Sequence, residues 1–584
     1  MLIRSRRFRG LVVLAGASVL AVAGCGGGSD EPADKSTAAA AGFEACKDQP
    51  NECNKGGTKP GGQIVYVQEQ DIATWNTPSS DGGHYGTVVM MNGVLPSVYI
   101  PAPDLLPKLN TDLIVDEPKV TNESPQTVVY KIRPEAVWSD GTPISADDFI
   151  YQFKTRNTKD CPKCATSSST GYDTMASVVG SDGGKTVTVT WQPGKPYSDW
   201  RNAFDALYPA HIAKAAGGVD TPEGLAASWD AFGKTVPKWS GGPYQIESYA
   251  EGQQLIQVPN PKWYGKTKPA LEKVIYKIVT DQSSFVPALQ NNEVQAGEPI
   301  PNVDMVNQIK QMADVNSRVS GGLSYEHIDL NLQNKFLADK PLREAIFRVI
   351  NVQGIIDRTV GQFYTEAKPL YSHNFMPASK YFKDTVSATG AGKGEVDAAK
   401  KVLTDAGYTG VGTDLKTKTG DDVPALRMRH TVGNVNRAAT AELVQRYVKE
   451  LGIDVTIQTT EDLSTTLDTG DFDLIVFAWV NSPYFLSGAD QIWATASESN
   501  FGKWSNPEAE ALLKEAVQQM DQQKGADLLN RADELLSKDF YSLPLFQRPT
   551  FMVVKKDYAN IRPNTTSTGP TYNIHEWGMR ATTQ

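Results

Sequence analysis

The stretch from Ala438 to Trp479 constrains the fold more than any other part of this chain. Leu443, Val444, Tyr447, Val448 and Leu451 recur at helical spacing, and Gly452 ends the run. The period then drops from 3.6 to 2, with Ile453, Val455 and Ile457 on one side of a strand. DFDLIVFAW follows as a continuous apolar strand of the kind that is covered on both faces. A helix, a turn, a strand and a second buried strand in that order require helices laid on a sheet, which is an α/β lobe.

The same grammar recurs nearby. Pro341 to Asn351 places Leu342, Ala345, Ile346 and Val349 on one helical face, and Glu395 to Ala406 does so with Val396, Ala399, Val402, Leu403 and Ala406. Asn506-Pro507 supplies a cap and a first-turn proline for another helix. Upstream the texture differs. Gly61-Gly62 precedes the alternating run QIVYVQEQ, and strands dominate the reading from about 85 to 235, including TVVYKI and TVTVTW. GGPYQIESYAEGQQLIQV reads as a hairpin turning near Glu251-Gly252, and LEKVIYKIVTD as a strand with Val274, Tyr276 and Ile278 on one side. At 584 residues the chain needs two or three packed units.

The N-terminus belongs to none of them. Arg4, Arg6, Arg7 and Arg9 precede an apolar run too short to span a bilayer, and the run ends at Leu20-Ala21-Val22-Ala23-Gly24-Cys25. Small residues before a cysteine read as a bacterial lipobox: residues 1–24 form a signal peptide, and Cys25 carries lipid and becomes the mature N-terminus. Residues 25–60 begin with small and polar residues and read as a flexible tether. The expected location is the outer face of a bacterial cytoplasmic membrane, held by a lipid anchor, with export by either the general or the twin-arginine route.

Charge narrows the partners. Loss of residues 1–24 removes four arginines and no acids, so the formal net charge of −10 becomes −14. A surface that acidic repels phosphate backbones, which excludes nucleic acid. Beyond Cys25, four cysteines remain. Pairing by proximity joins Cys46 to Cys53 and Cys161 to Cys164 in an oxidising compartment, while CxxC spacing at Cys161 and Cys164 keeps a thiolate zinc site as the rival.

Catalytic patterns are missing. Six scattered histidines form no HExxH, and the chain has no GxSxG, no Walker A loop and no GxGxxG. Lys418-Thr419-Gly420 matches one box of the serine β-lactamases, but no SxxK accompanies it. Neither an enzyme, a metal site nor a cofactor is expected. The stretch Val129 to Phe153 is explained as a folding unit: a strand ending at Arg133-Pro134, the apolar surface of Trp138, a tight turn at Asp140-Gly141-Thr142-Pro143, and a helix. Ser145 caps that helix, Asp148 completes a capping box, and Phe149 and Phe153 form its inner face.

That stretch, YKIRPEAVWSDGTPISADDFIYQF, closely resembles a segment of the family 5 extracellular solute-binding proteins, the peptide and nickel receptors of ABC importers. GGPYQIESYAEGQQLIQVPNPKWYGKTKPALEKVIYKIVTD, NLQNKFLADKPLREAIFRVINVQGII, YVKELGIDVTIQ, GDFDLIVFAW, WSNPEAEALL and LPLFQ follow in the family's order. The resemblance runs from about Gly61 to the C-terminus. It implies a two-lobed α/β clamp of periplasmic-binding-protein type II, with mixed sheets and three subdomains: 61–95 with 236–320 and 541–584, 96–235, and 321–540. It implies hinge crossings near Ser324–Leu332 and Leu543–Phe546, a monomer, a peptide or peptide-like solute in the cleft, and ABC permease and ATPase partners.

Site residues are carried over by position. In peptide receptors of the family an Asp follows the Trp of the DFDL-type strand; here Trp479 is followed by Val480-Asn481-Ser482-Pro483-Tyr484, and Val476 stands where some members carry an Arg. The resemblance therefore implies Trp479, Asn481 and Tyr484 as ligand contacts, with Asn481 hydrogen-bonding in place of a carboxylate. Gln68, Glu69, Trp75 and Asn76 are implied from the loop after the first strand, and Tyr325, His327 and Asn331 from the hinge. The missing Asp and Arg also motivate a rival from another class: an envelope scaffold or regulator with a solute-binding fold that recognises a glycan or glycolipid.

Overall fold

The computed structural model describes residues 42–581, so the signal peptide and the lipidation expected at Cys25 lie outside the described residues. After β1 (Gln63–Gln68) the chain builds a separate antiparallel sheet from β2 (Lys119–Glu123), β3 (Gln126–Lys131), β4 (Met175–Ser181) and β5 (Thr186–Trp191), ordered β2-β3-β5-β4. It returns as β6 (Tyr244–Ala250), β7 (Gln254–Pro259), β8 (Lys273–Ile278) and β9 (Ala296–Gly297), and leaves along the long β10 (Val315–Leu330). It then makes β11 (Leu426–Thr431), β12 (Val455–Thr460) and β13 (Leu474–Val480), and comes back along β14 (Ser542–Lys555). All but β2–β5 join one ten-stranded mixed sheet, ordered β12-β11-β13-β10-β14-β9-β1-β8-β7-β6. Parallel pairs join β1 to β8 and β9, and β11 to β12 and β13; the others are antiparallel.

The clamp hangs on β10 and β14. Val315–Gly321 of β10 pairs with Pro549–Lys555, while Tyr325–Asp329 pairs with Ser542–Gln547 and also with β13. The register slips between Gly321 and Tyr325, where the two strands pass from one lobe to the other. Only glycine fits there. A Cβ on Gly322 would lie 2.0 Å from the Thr565 Cβ, and one on Gly321 would lie 2.6 Å from the Tyr364 hydroxyl.

Helices of the second lobe follow the sequence pattern within one to three residues. Leu342, Ala345, Ile346 and Val349 of the helix Lys340–Val349 are fully buried, as are Ala399 and Leu403 of Val396–Asp405 and Val444 and Val448 of Val435–Lys449. Strand β13 is buried from Leu474 to Phe477, as its unbroken apolar run requires.

The region 85–235 holds more helix than its sequence suggests: α1 (Tyr85–Met91), α2 (Ala146–Arg156), α3 (Ala210–Ala216) and α4 (Pro222–Lys234). Thr87, Val88 and Val89 are strand-favouring by content, but packing in the core overrides that preference. For α4 a local signal was present, since Thr221 accepts from the Gly224 N–H at 3.1 Å and Pro222 occupies the first turn. The Ser145 capping box of α2 forms as expected, and Asp148 does more than cap. Its carboxylate accepts from the Ser145 N–H at 2.9 Å, the Ala210 N–H at 2.8 Å and Trp138 Nε1 at 3.3 Å, while burial pushes it up to about 6.

One boundary is corrected. The tether expected over 25–60 is folded from residue 42 onward. Cys46 is bonded to Cys53, Phe43 is buried, Asn54 donates to the Ile561 carbonyl, and Thr58-Lys59 pairs with Met579-Arg580. The disulfide and the C-terminal strand supply the order that local composition lacks. Cys161 is bonded to Cys164, which leaves no thiolate among these four for zinc. No helix among the described residues is long and apolar enough to cross a membrane.

Candidate functional site

Charged side chains from five distant segments meet where β10 and β14 cross between the lobes. Glu326 of β10 is buried and accepts a bidentate pair from Arg437, with Nε–Oε2 and Nη2–Oε1 both at 3.0 Å. Arg437 stands in the first turn of α7 (Val435–Lys449), which follows α5 (Lys340–Val349) and α6 (Val396–Asp405) in the second lobe. Arg548 of β14 approaches the same carboxylate at 3.7 Å. Burial works against the Glu326 charge, but Arg437 and then Arg548 outweigh it and hold the carboxyl below its ordinary range.

Across from Arg548 lie two carboxyls of the first lobe. Glu69, at the end of β1, accepts from the Ile300 N–H at 2.7 Å, and Glu298 accepts from the Tyr85 hydroxyl at 2.6 Å. Burial pushes both up to about 7, although Arg548 pulls each of them down. Oε1 of Glu298 has no partner, and Tyr85 remains 37% exposed. This is a floor of charges that are only partly paired.

None of these five charged groups lines the cavity of about 300 Å³ to which both lobes contribute. The first lobe contributes Thr77, Pro78, Tyr99, Asp112, Asp205 and Trp263, together with Ser567, Thr568, Tyr572, Ile574 and His575; the second contributes Ser482, Pro483 and Tyr484. Its size is at the lower end for small-molecule sites. The lobes touch next to it. In α8 (Phe485–Trp493) the Ser487 N–H donates to Asp199 Oδ2 at 2.7 Å, and the Thr170 hydroxyl donates to Asp490 at 3.4 Å. Ser198 donates to the Val517 carbonyl of α9 (Pro507–Gln518) at 2.6 Å.

The structure brings together some of the residues singled out from sequence and disperses others. Tyr484 lines the cavity, and Glu69 belongs to the charged floor. Gln68 is buried, with its side-chain oxygen near Gly86. Trp75 packs edge-on against Tyr249 at 4.9 Å, and Asn76 donates to the Trp229 carbonyl, so both serve the first lobe just ahead of the cavity-lining Thr77. Trp479 stacks on Phe501 at 5.7 Å and on His327 at 6.1 Å. Asn481 donates to the carbonyls of His373 and Asn374, and Asn331 donates to those of Gly470 and Phe472. Tyr325 and His327 are fully buried in the hinge.

Sequence reasoning missed Tyr85, Asp205, Glu298, Glu326, Arg437 and Arg548. For Glu326 a signal existed: a carboxylate inside the alternating run SYEHIDL must find a cation if both faces are covered. The rest stand in no local pattern.

The model described as bacterial extracellular solute-binding proteins, family 5 Middle, matches residues 112–503. The oligopeptide-binding protein OppA of Mycobacterium tuberculosis H37Rv is 28% identical over 508 residues, 86% of this chain and 82% of that protein. Among solved structures, the periplasmic EDTA-binding protein EppA superposes with a TM-score of 0.85 at 33% identity, covering 90% of this chain and 98% of that one. AppA of Bacillus subtilis, in complex with a nonapeptide, superposes with a TM-score of 0.76 at 21% identity, covering 90% and 100%.

Proposed function

The chain belongs to the family 5 extracellular solute-binding proteins, and from that premise we propose that it captures an oligopeptide or peptide-like solute between its lobes for an ABC importer. The observation that carries the reading is the cavity of about 300 Å³ lined from both lobes. Closure over a solute then follows from contacts that only the closed form makes.

Two ligand classes arise from the relatives, peptides and a polycarboxylate chelator. Charge favours the first. Arg156 is the sole Arg or Lys among the described residues lining the cavity, and its guanidinium is already engaged by Asp205 and the Ser168 carbonyl. A polyanion would instead face the carboxylates of Asp112 and Asp205. Tyr484 and Glu69 are the sequence-derived contacts we retain for the ligand. A lipid anchor at Cys25, an outer-face location, and permease and ATPase partners complete the proposal, with the lobes divided as the sequence suggests.

Native mass spectrometry of the purified chain, with ejection and fragmentation of any retained solute, tests it. A ladder of short peptides is the expected result. A glycan or glycolipid adduct would favour the scaffold reading. An empty protein whose melting does not respond to a broad peptide pool would sink solute capture by this route.

A further inference from the structure

Within that cavity one carboxylate is held in place by one oxygen and left open at the other. Asp205 Oδ1 accepts from Gln152 Nε2 at 2.9 Å and from Arg156 Nη1 at 3.0 Å; Oδ2 has no hydrogen-bond partner among the described residues. The side chain is 46% exposed and lines the cavity. Arg156 cannot turn away, because it also donates to the Ser168 carbonyl through Nε and Nη2 and lies over the Tyr172 ring at 4.8 Å. The backbone aims the group as well. Phe204, immediately before it, is fully buried with φ of 61°, a left-handed conformation that a bulky residue holds only when its surroundings enforce it. Here those surroundings are Phe149 at 4.8 Å, Tyr130 at 5.6 Å and the Tyr172 hydroxyl on the Phe204 N–H at 2.8 Å.

Opposite stands Tyr484, brought by the second lobe. It is 7% exposed, yet its hydroxyl makes no hydrogen bond with the described residues. Burial and then the Asp205 charge push its phenol up, so it stays a neutral hydroxyl with an open lone pair. Tyr99, Trp263 and Tyr572 add aromatic walls. His575 is held neutral by burial, and Arg156 is already engaged, so no free positive charge competes.

A carboxylate oxygen, a phenol oxygen and aromatic walls with no available cation make an acceptor site for a compact positive charge. We propose that this cavity seats a protonated primary amine of the solute, with Asp205 Oδ2 and the Tyr484 hydroxyl oxygen as its acceptors from opposite lobes. The proposal rests on reading the interlobe cavity as the ligand site. It also links recognition to closure, because the two acceptors come together only when the lobes do.

Asp205→Asn suits the test, because its amide oxygen can keep the Gln152 and Arg156 bonds while the open position loses its charge. The full-length wild type and D205N would be titrated calorimetrically with penta-alanine, with N-acetyl-penta-alanine and with cadaverine. The expected result is that acetylation and D205N each weaken penta-alanine binding by about tenfold to a hundredfold, and that D205N adds nothing further for the acetylated peptide. Binding of cadaverine to wild type but not D205N, without any peptide binding, would support the amine site while removing the peptide reading. Equal binding of free and acetylated peptide by both proteins would overturn the amine site and leave peptide capture standing. No binding of any probe by wild type would overturn both. Should D205N fail to fold, Tyr484→Phe and the free-against-acetylated contrast in wild type decide.

Discussion

The two faces of β10 bury polar groups in opposite ways. On the even-numbered face Glu326 is 6% exposed and holds a bidentate guanidinium, with Ile328 and Leu330 continuing into the apolar core. On the odd-numbered face Tyr325, His327 and Asp329 are equally buried, but the Tyr325 hydroxyl, both His327 ring nitrogens and Asp329 Oδ1 have no hydrogen-bond partner. Rings surround them instead: Phe477 lies 4.2 Å from the His327 ring, and Trp479 stacks on it from β13. One face is held by charge pairing, which is strong and directional. The other is held mainly by aromatic packing, with only long polar contacts beside it: the Tyr541 hydroxyl donates to Asp329 Oδ2 at 3.4 Å, and His327 Nε2 lies 3.5 Å from Asp329 Oδ1. A hinge strand can thus be fixed to one neighbour and merely packed against another.

The largest effect should come from breaking the paired face. Arg437→Ala leaves Glu326 buried with Arg548 alone, 3.7 Å away, and removes the bond from Nη1 to Thr431. We expect a loss of about 3–5 kcal/mol in urea unfolding, the range for a buried charge deprived of its partner. A loss below about 1 kcal/mol would place Glu326 in water and dissolve the contrast.

A smaller effect sharpens the contrast through pH. Glu326 has a lowered pKa, so its contribution is present above the unfolded carboxyl value and disappears as pH falls through the folded one. Next to the odd-numbered face, His373 Nδ1 bonds Asp533 Oδ1 at 2.5 Å and Nε2 bonds the Ser542 carbonyl at 3.1 Å. Burial opposes the imidazolium, yet Asp533 outweighs it and raises the pKa, so this contribution is full below the unfolded histidine value and is lost as pH rises through the folded one. Denaturant midpoints should fall from pH 6 to 9 in wild type as this contribution is lost. Asp533→Asn should flatten that limb more than Arg437→Ala, which acts in this range only through Glu69. Equal flattening by both variants would show that the two faces titrate as one unit.

What the sequence revealed divides along the same line between local and assembled structure. The Ser145 capping box, the Gly452 stop, the hairpin turn at Gly252 and the buried run of β13 are each specified by residues within a few positions, and each forms where its pattern lies. The cavity is assembled from Asp112, Asp205, Tyr484 and His575, and no periodicity connects positions so far apart. Asn481 shows the limit of arguing from position. It is itself an expected ligand contact, and the carbonyls of His373 and Asn374, more than a hundred residues away, take its amide. Trp479 likewise meets Phe501 and His327, which nothing in GDFDLIVFAW could announce.

The smallest effect is the most diagnostic. Tyr325→Phe deletes one hydroxyl from the odd-numbered face and leaves its ring against His327 at 5.4 Å. A buried hydroxyl without a partner gives up its hydration and receives nothing, so its removal should raise stability by about 1 kcal/mol with an unchanged urea m-value. The sign is what matters. A gain means that packing alone holds this face, and that the hinge retains its geometry through Glu326 and Arg437. A loss of similar size means that the hydroxyl has a partner in solution, an internal water bridging Tyr325, His327 and Asp329. Both faces would then be hydrogen-bonded, one directly and one through solvent, and the lobes would turn about a hydrated seam.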